Sequence, residues 1–193
     1  MDEKLYLEIA RKYGACGSWA IWADVGVTPK SNVGDLTVFD HIKNSELLKR
    51  LNPNVVMVEL NISRRVETTF ANFHDGSARS QDYKIRFAFK DTSFYGAYMT
   101  DIIKYLSYKD SREVVQYLKI NPSVERENVS KSEDEMNDIG ASDPLIIAFG
   151  NLAFNILDKY LGSRYKIVKL TDYSHQIGKE NYRKEVENIL AQI

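Results

Sequence analysis

Four apolar stretches, separated by segments with helical spacing, constrain the fold of this 193-residue chain more than any other feature. They are "NVVMVEL" (54–60), "SFYGAYMTDII" (93–103), "DPLIIAFG" (143–150) and "YKIVKL" (165–170). Nearly continuous apolar strands are typical of parallel sheets whose two faces are both covered by helices. The pattern therefore predicts an α/β fold, a three-layer α/β/α sandwich around a central four-stranded, mainly parallel sheet.

Predicted helices precede and separate these strands. The segments with helical spacing are 2–14, 45–51, 112–119, 124–140, 151–161 and 179–193. Residues 15–43 show no clear period and resemble an extended or irregular segment. We therefore expect a single domain over residues 1–193, in which residues 1–43 form a helical and irregular N-terminal arm. The helix at 124–140 is rich in charge, so we expect it to present a solvated face.

The charge balance argues against a strong general attraction for nucleic acid. The formal net charge is −1 and the pI is near 6.3, whereas the phosphate backbone favours a positive surface. Lysine and arginine are mostly exposed in proteins, so we interpret the basic clusters largely as surface charge. These clusters are Arg64–Arg65, Lys49–Arg50 and the group of Lys84, Arg86 and Lys90.

The small number of cysteines and histidines indicates the cellular compartment and whether a metal site is expected. Cys16 is the single cysteine, and the three histidines are far from it and from each other without a metal-ligand spacing. No apolar run has the length of a membrane span or the form of a signal peptide. We therefore expect a cytoplasmic monomer with no membrane partner, no metal and no cofactor. The chain also lacks the glycine-rich loops of dinucleotide and nucleotide-triphosphate sites.

Polar residues follow each predicted strand, where an open parallel sheet binds its ligands. The loops in question come after Leu60, Thr100, Phe149 and Leu170. The first contains Asn61, two arginines and the aromatic segment "FANFHD" (70–75), and the last reads "TDYSHQ" (171–176). The four loops together are the expected functional region.

The ordered set "VELNIS…FANFHD", "YMTDIIK", "LIIAFGNLAFNIL" and "DYSH" resembles the uracil-DNA glycosylase superfamily over roughly residues 50–190. In that superfamily the first strand ends in a Gly-x-Asn-Pro or Gly-x-Asp-Pro motif, and a later aromatic residue of the same loop stacks on the extruded base. A residue after the second strand reads the base edge. A final His-Pro-Ser type loop enters the minor groove and stabilises the leaving base.

Residue roles follow from this resemblance. It implies that Asn61 positions the attacking water, that Phe70 or Phe73 stacks on the base, and that Asp101 reads the base edge. Ser174 matches the serine of the final loop, and His175 is the neighbouring candidate for stabilising the leaving group. The resemblance also suggests contacts with the DNA backbone or groove from Arg64, Arg65, Lys104 and Tyr173.

Three positions depart from the superfamily pattern. Glu59 and Ile62 stand where many members have glycine and proline, and Asp172 stands where the histidine is expected. Asn61 orients water without accepting its proton, because a carboxamide is not a base near neutrality. An ionised Asp101 would only accept hydrogen bonds, which suits the amine of a cytosine-type base and favours a modified cytosine over plain uracil.

The sequence therefore predicts a DNA glycosylase that hydrolyses the N-glycosidic bond of an extruded base in duplex or single-stranded DNA and leaves an abasic site. The alternative is a catalytically inactive module of the same fold that binds nucleic acid, a nucleotide or a protein. Simpler interpretations of the same residues stay open. Asn61 can terminate the strand, Phe70 and Phe73 can form one core-facing side of a short helix, and Asp101 can cap a helix.

Overall fold

A computed structural model describes residues 1–62, 64–104, 106 and 110–193. Ser63 of the "VELNIS" motif lies outside the described residues. The strands within them are β1 (Ser18–Trp19), β2 (Asn52–Asn61), β3 (Ala97–Ile103), β4 (Leu145–Phe149) and β5 (Ile167–Leu170). They form one sheet in the order β1-β3-β2-β4-β5, in which β1 is antiparallel to β3 and the other pairs are parallel. The predicted α/β class is confirmed, with five strands instead of four.

The helices within the described residues alternate with the parallel strands. They are α1 (Glu3–Tyr13), α2 (Leu47–Arg50), α3 (Asp82–Phe89), α4 (Ser111–Ile120), α5 (Pro122–Asp138), α6 (Gly150–Leu161) and α7 (Lys179–Leu190), with a 3₁₀ turn at Leu36–Phe39. Local chemistry explains several ends: the Asp2 carboxylate caps α1 by accepting from the Leu5 backbone N–H, and Pro122 occupies the first turn of α5, where its missing N–H costs nothing.

The core consists of two apolar clusters, one on each face of the sheet. Side chains of α1, α4, α5 and α6 pack on one face with Val56, Val58 and Ile146. Side chains of α3 and α7 pack on the other face with Val55, Met57 and Ile147. The alternation of neighbouring β2 residues between the two clusters follows from the two-residue period of a strand. It explains why this strand is apolar at successive positions.

Residues 15–43 belong to the sheet and its core more closely than the predicted arm suggests. β1 extends the sheet at its edge, and Trp19, Ala20, Ile21 and Trp22 are all buried. The Gly96 backbone N–H donates to the Ala20 carbonyl and the Ala20 N–H donates to the Ala97 carbonyl. A strand of two residues is too short for a period-two pattern, which is why the sequence did not indicate it.

The burial of charged side chains corrects one sequence interpretation and limits another. Segment 82–89 forms helix α3, and Lys84 and Arg86 on it are buried instead of forming surface charge. The charged helix α5 presents the expected solvated face, with Arg126, Glu127 and Asp134 exposed, but it buries Glu135 completely. Lys84, Arg86 and Glu135 are tolerated in the interior because each has hydrogen-bond partners from distant parts of the chain.

Candidate functional site

A cleft of about 420 Å³ opens at the carboxyl ends of the four parallel strands. Every one of these strands, or the loop that follows it, contributes to its walls. The residues lining it are Glu59, Leu60, Asn61, Asn72, Phe73, Asp101, Ser111, Phe149, Gly150, Asn151, Leu152, Asp172, Tyr173, Ser174 and His175. The structure thus brings together Asn61, Phe73, Asp101, Tyr173, Ser174 and His175 from the predicted set.

Two carboxyl groups face each other across the ends of β2 and β3. Glu59 is the register partner of Asp101 in the parallel pair, and both line the cleft. Burial, followed by the negative charges of Asp172 and Asp101, raises the pKa of Glu59 well above its usual range. Burial also raises the pKa of Asp101 to about 7, although a hydrogen bond from Asn72 and the charge of Lys104 oppose the rise. Both carboxyls therefore hold protons at a higher pH than ordinary side chains of their type.

Asp101 lies inside strand β3 and not at a helix N-terminus, which excludes the helix-cap interpretation. The Asn72 side-chain amide donates to its Oδ2 at 2.6 Å. Because burial raises the pKa of Asp101 to about 7, both its ionised form, which only accepts hydrogen bonds, and its neutral form are present at neutral pH. The neutral acid donates from one oxygen and accepts at the other.

The segment "FANFHD" adopts a strained conformation that separates its two phenylalanines. Phe70 and Phe73 have φ of 62° and 64°, in the left-handed region where β-carbons clash with the backbone. They are therefore not one face of a helix. Phe70 points into the core and packs on the Tyr6 and Phe39 rings at 5.6 and 5.3 Å, whereas Phe73 lines the cleft. Of the two stacking candidates, only Phe73 is in position to contact a bound base.

Contacts from residues 14–22 hold this strained segment in place. The Phe70 N–H donates to the Gly14 carbonyl, and the Ser18 hydroxyl donates to the Phe70 carbonyl. The Trp22 indole N–H donates to the Phe73 carbonyl. Such contacts offset a backbone strain of the order of 1–3 kcal/mol per residue. The segment predicted to be irregular thus orders one wall of the cleft.

His74 is a buried part of the same support. Its ring stacks on Trp22 at 5.1 Å, and its two nitrogens lie 2.9 Å from the carbonyl oxygens of Asn72 and Ile21. Burial lowers the pKa of His74 to about 4, so the ring is neutral at pH 7. Its position inside the core indicates a structural function.

The "DYSH" loop is shaped by Asp172. Its Oδ1 accepts the Ser174 backbone N–H at 2.7 Å and its carbonyl accepts the His175 N–H, which together form a tight turn. Buried Lys84 supports the loop from α3 by donating to the Tyr173 and His175 carbonyls. Ser174 and His175 are exposed at the mouth of the cleft. Tyr173 packs edge-on against Phe149 at 5.5 Å and forms part of the wall, not a projecting probe.

Asn61 ends β2 and its amide is engaged with the backbone. Its Nδ2 donates to the Ile62 and Leu106 carbonyls. This arrangement ties the loop after β2 to the loop after β3. It agrees with the strand-terminating interpretation and leaves the water-positioning role a proposal.

A buried ion pair lies beneath the cleft. Lys104 Nζ is 2.6 Å from Glu135 Oε2 and also donates to the Thr100 hydroxyl and the Asp101 carbonyl. The Tyr98 and Thr100 hydroxyls both donate to Glu135 Oε1. Lys104 is only 9% exposed, and its ammonium group is held in this ion pair. Contrary to the prediction from the sequence, it is not positioned to contact a DNA phosphate. Instead it fixes the end of β3 where Asp101 is located.

The arginines of the first loop lie outside the cleft. Arg65 is exposed, with its Nε 3.9 Å from Glu67. Arg64 donates to the Ala71 carbonyl and, with Arg79, lines a neighbouring pocket of about 330 Å³. This pocket shares Asn72, Phe73, Tyr173 and Ser174 with the cleft. Cationic groups therefore lie just beyond one wall of the acidic cleft.

Several residues of the site were not indicated by the sequence as functional. Asn72 holds Asp101 and buried Glu135 holds Lys104, and Glu59 was noted only as a departure from a motif. Alternation along β2 provides a signal for Glu59, because Val55, Met57 and Glu59 share one face and the apolar series ends in a carboxyl group. Contacts between distant segments, such as that of Lys104 with Glu135, leave no comparable pattern.

No family model, curated protein or solved structure gives a significant match to this chain. The fold and the site alone define its class, an α/β protein with a cleft at the carboxyl ends of its parallel strands. Among the described helices none is long and apolar enough to cross a bilayer. In the described part of the chain, no group of three or more histidine, cysteine, aspartate or glutamate side chains is arranged to hold a metal ion.

Replacing Asp101 with asparagine is expected to stabilise the protein at alkaline pH. The raised pKa of Asp101 means that the folded state binds this proton more tightly than the unfolded chain. Its stabilising contribution is therefore complete below the ordinary pKa of 3.8 and lost as the pH rises through about 7. We expect Asp101→Asn to raise the free energy of unfolding by about 1–3 kcal/mol at pH 9 and by much less at pH 5.

Urea unfolding at the two pH values measures this difference. Asp143→Asn, at an exposed position, is the matched control. Equal pH dependence in wild type and Asp101→Asn would show that Asp101 is not the group responsible.

Proposed function

We propose that this chain is a DNA glycosylase that hydrolyses the N-glycosidic bond of an extruded base. The observation that carries the proposal is the convergence of Phe73, Asp101 and the 172–175 loop on one cleft at the strand ends. These are the groups to which the resemblance assigns base stacking, base reading and the leaving-group loop. They come from three separate segments of the chain, two loops and strand β3, so their proximity does not follow from closeness in sequence.

The size and the walls of the cleft suit a nucleobase. Its volume of about 420 Å³ falls within the usual range for small-molecule sites. Phe73, Phe149 and Tyr173 provide aromatic surface, and stacking on such surface contributes about 1–3 kcal/mol per base. This energy offsets the few kcal/mol needed to extrude a base from the helix.

Asp101 is the proposed reader of the base edge. One of its oxygens accepts from Asn72, and the group is partly protonated near pH 7. An ionised carboxyl accepts from the exocyclic amine of a cytosine-type base, and a neutral one donates to the O4 oxygen of a uracil-type base. We retain a modified cytosine as the leading candidate and uracil as the second.

The distribution of charge suggests a path for the DNA backbone. Negative carboxyls inside the cleft repel phosphates, whereas Arg64 and Arg79 line the adjoining pocket. A base placed in the cleft would leave its flanking phosphate near these arginines. Lys104 takes no part in this path, because its ammonium group is buried in an ion pair.

Incubation of the purified protein with DNA that contains single test bases is the primary experiment. Duplex and single-stranded substrates with uracil, hypoxanthine, cytosine and several 5-modified cytosines are scored for abasic sites by alkaline cleavage. The proposal predicts cleavage at one class of base. Absence of cleavage on every substrate, from protein with a cooperative unfolding transition, would contradict it.

Removal of the Phe73 ring is expected to lower kcat/KM on the preferred base by about 5- to 150-fold, from the loss of 1–3 kcal/mol of stacking. Phe73 is also buried, so Phe73→Leu, which keeps apolar volume, accompanies Phe73→Ala. Leu7→Ala, at an exposed surface position, is the control. Unchanged kcat/KM in both Phe73 variants would exclude Phe73 as the stacking surface.

The second candidate is a non-catalytic module that binds a nucleoside or base. Asp172 is the observation in its favour, because a carboxylate at the leaving-group position disfavours a departing anion. Saturable binding of a modified deoxycytidine without any cleavage would support this candidate over the glycosylase.

A further inference from the structure

We propose that Glu59 is the catalytic base of this site and that it takes the proton from the water that attacks the sugar. This inference rests on the proposed glycosylase function and deepens it. It assigns the proton-accepting role, which Asn61 cannot perform, to a residue two positions earlier on the same strand.

Asn61 lacks the chemistry and the freedom for this role. A carboxamide does not accept a proton near neutral pH. Its Nδ2 is also engaged by the Ile62 and Leu106 carbonyls, which fixes the side chain against two loops. A different group in the cleft has to accept the proton if water is to be activated.

Glu59 has the position that such a base requires. It projects from the carboxyl end of β2 and lines the cleft with its register partner Asp101. Its Oε1 accepts the Leu60 backbone N–H at 3.2 Å. Within the described part of the chain, no lysine, arginine or histidine nitrogen lies within 4.0 Å of its oxygens. Glu59 is therefore not held as half of an ion pair, as Glu135 is, and its carboxyl is available to a substrate.

The groups around Glu59 favour a strong base. Burial, and then the charges of Asp172 after β5, Asp101 on β3 and Asp82 on α3, raise the pKa of Glu59. Each neighbouring negative charge increases the affinity of Glu59 for a proton. The Glu59 carboxylate in these surroundings is therefore a stronger base than that of an ordinary surface glutamate.

In the proposed step, hydrolysis exchanges one bond at the sugar carbon for another. The water oxygen forms a bond to the sugar C1′ while the bond from C1′ to the base nitrogen breaks, and its electron pair leaves with the base. One water proton passes to the Glu59 carboxylate and the other stays on the new hydroxyl group. The departing base takes a proton from solvent, and Glu59 later returns its own proton to solvent. No oxidant, reductant or metal is required.

Glu59→Gln is the direct test, because it keeps the shape of the side chain and removes its basicity. We expect kcat to fall by about 10²- to 10⁴-fold with KM nearly unchanged. In wild type, kcat should rise with pH through a limb that lies above the usual glutamate range, since the base must be ionised. This limb should be absent from the residual activity of Glu59→Gln and present in Glu59→Asp, which keeps a carboxyl group.

Glu8→Gln, an exposed position on α1, is the control for loss of a glutamate charge. Full activity of Glu59→Gln would overturn this inference and leave the proposed function standing. Wild-type protein that is inactive on every base would overturn the proposed function and the role of Glu59 with it. If Glu59→Gln does not fold, the pH dependence of wild-type kcat tests the role of Glu59 instead. A kcat that does not change between pH 5 and 8 would also contradict the inference.

Discussion

Replacing Lys104 with methionine is expected to lower the free energy of unfolding by about 3–5 kcal/mol. Lys104 Nζ is 2.6 Å from the Glu135 carboxylate, and both side chains are buried between β3 and α5. Without Lys104, the Glu135 charge stays in the interior with only the Tyr98 and Thr100 hydroxyls to stabilise it. The ion pair contributes little net energy as a unit, but loss of one partner leaves an uncompensated charge.

Urea unfolding of the single and double variants tests this account. Lys104→Met combined with Glu135→Gln removes both charges and keeps an acceptor for the Tyr98 and Thr100 hydroxyls. We expect the double variant to recover to within about 1–2 kcal/mol of wild type. A single variant that loses less than about 1 kcal/mol would contradict a buried, uncompensated Glu135.

Replacing Arg86 with methionine is expected to cost about 3 kcal/mol or more. Arg86 is 2% exposed, and its guanidinium group donates to the carbonyls of Ala23, Pro29 and Ser31. Hydrogen bonds from a charged donor contribute about 1.5–3 kcal/mol each, and carbonyls left unpaired inside the protein add a penalty. The loop at residues 23–31 would lose its attachment to α3.

Lys90 supplies the matched control from the same sequence cluster. Its side chain is 43% exposed and its Nζ is 3.7 Å from Asp24, so Lys90→Met should change stability by less than about 1 kcal/mol. Thermal unfolding of both variants shows whether Arg86 stabilises the protein as a buried anchor or behaves as ordinary surface charge, as Lys90 does. Similar small losses in the two proteins would restore the surface interpretation of Arg86.

The layered fold was predictable because burial on both faces leaves a direct trace in the sequence. The runs "NVVMVEL" and "DPLIIAFG" are apolar at successive positions only because alternate residues enter two different clusters. The strand ends then located the cleft, since the polar residues at 59–61, 101 and 172–175 meet there. The apolar pattern of the strands and the topology of a parallel sheet were enough to predict the layered fold and the position of the cleft.

Buried polar groups were not predictable in the same way. Arg86 finds its acceptors 55 to 63 residues earlier in the chain, and the Glu135 carboxylate binds Tyr98 from 37 residues away. Local sequence contains no information about such partners, so exposure was the natural expectation for charged residues. For both residues, contacts with distant segments outweigh the general preference of charged side chains for the surface.

The strained segment "FANFHD" shows a different limit. The spacing of Phe70 and Phe73 fits a helix as well as it fits two opposed side chains, and positive φ values in phenylalanine are not indicated by sequence. The conformation exists because Gly14, Ser18 and Trp22 bind its backbone. The N-terminal segment is thus part of the site, because it determines which phenylalanine reaches the cleft.

Oxygen-isotope labelling of the cleavage reaction tests the central claim most directly. Wild-type protein is incubated in H₂¹⁸O with DNA that contains its preferred base, and the products are analysed by mass spectrometry. The account predicts release of the free base without label and one ¹⁸O atom at C1′ of the abasic sugar, because water attacks the sugar carbon. Release of a labelled base, of a nucleotide, or of no product from any substrate would contradict hydrolysis of the N-glycosidic bond in this cleft.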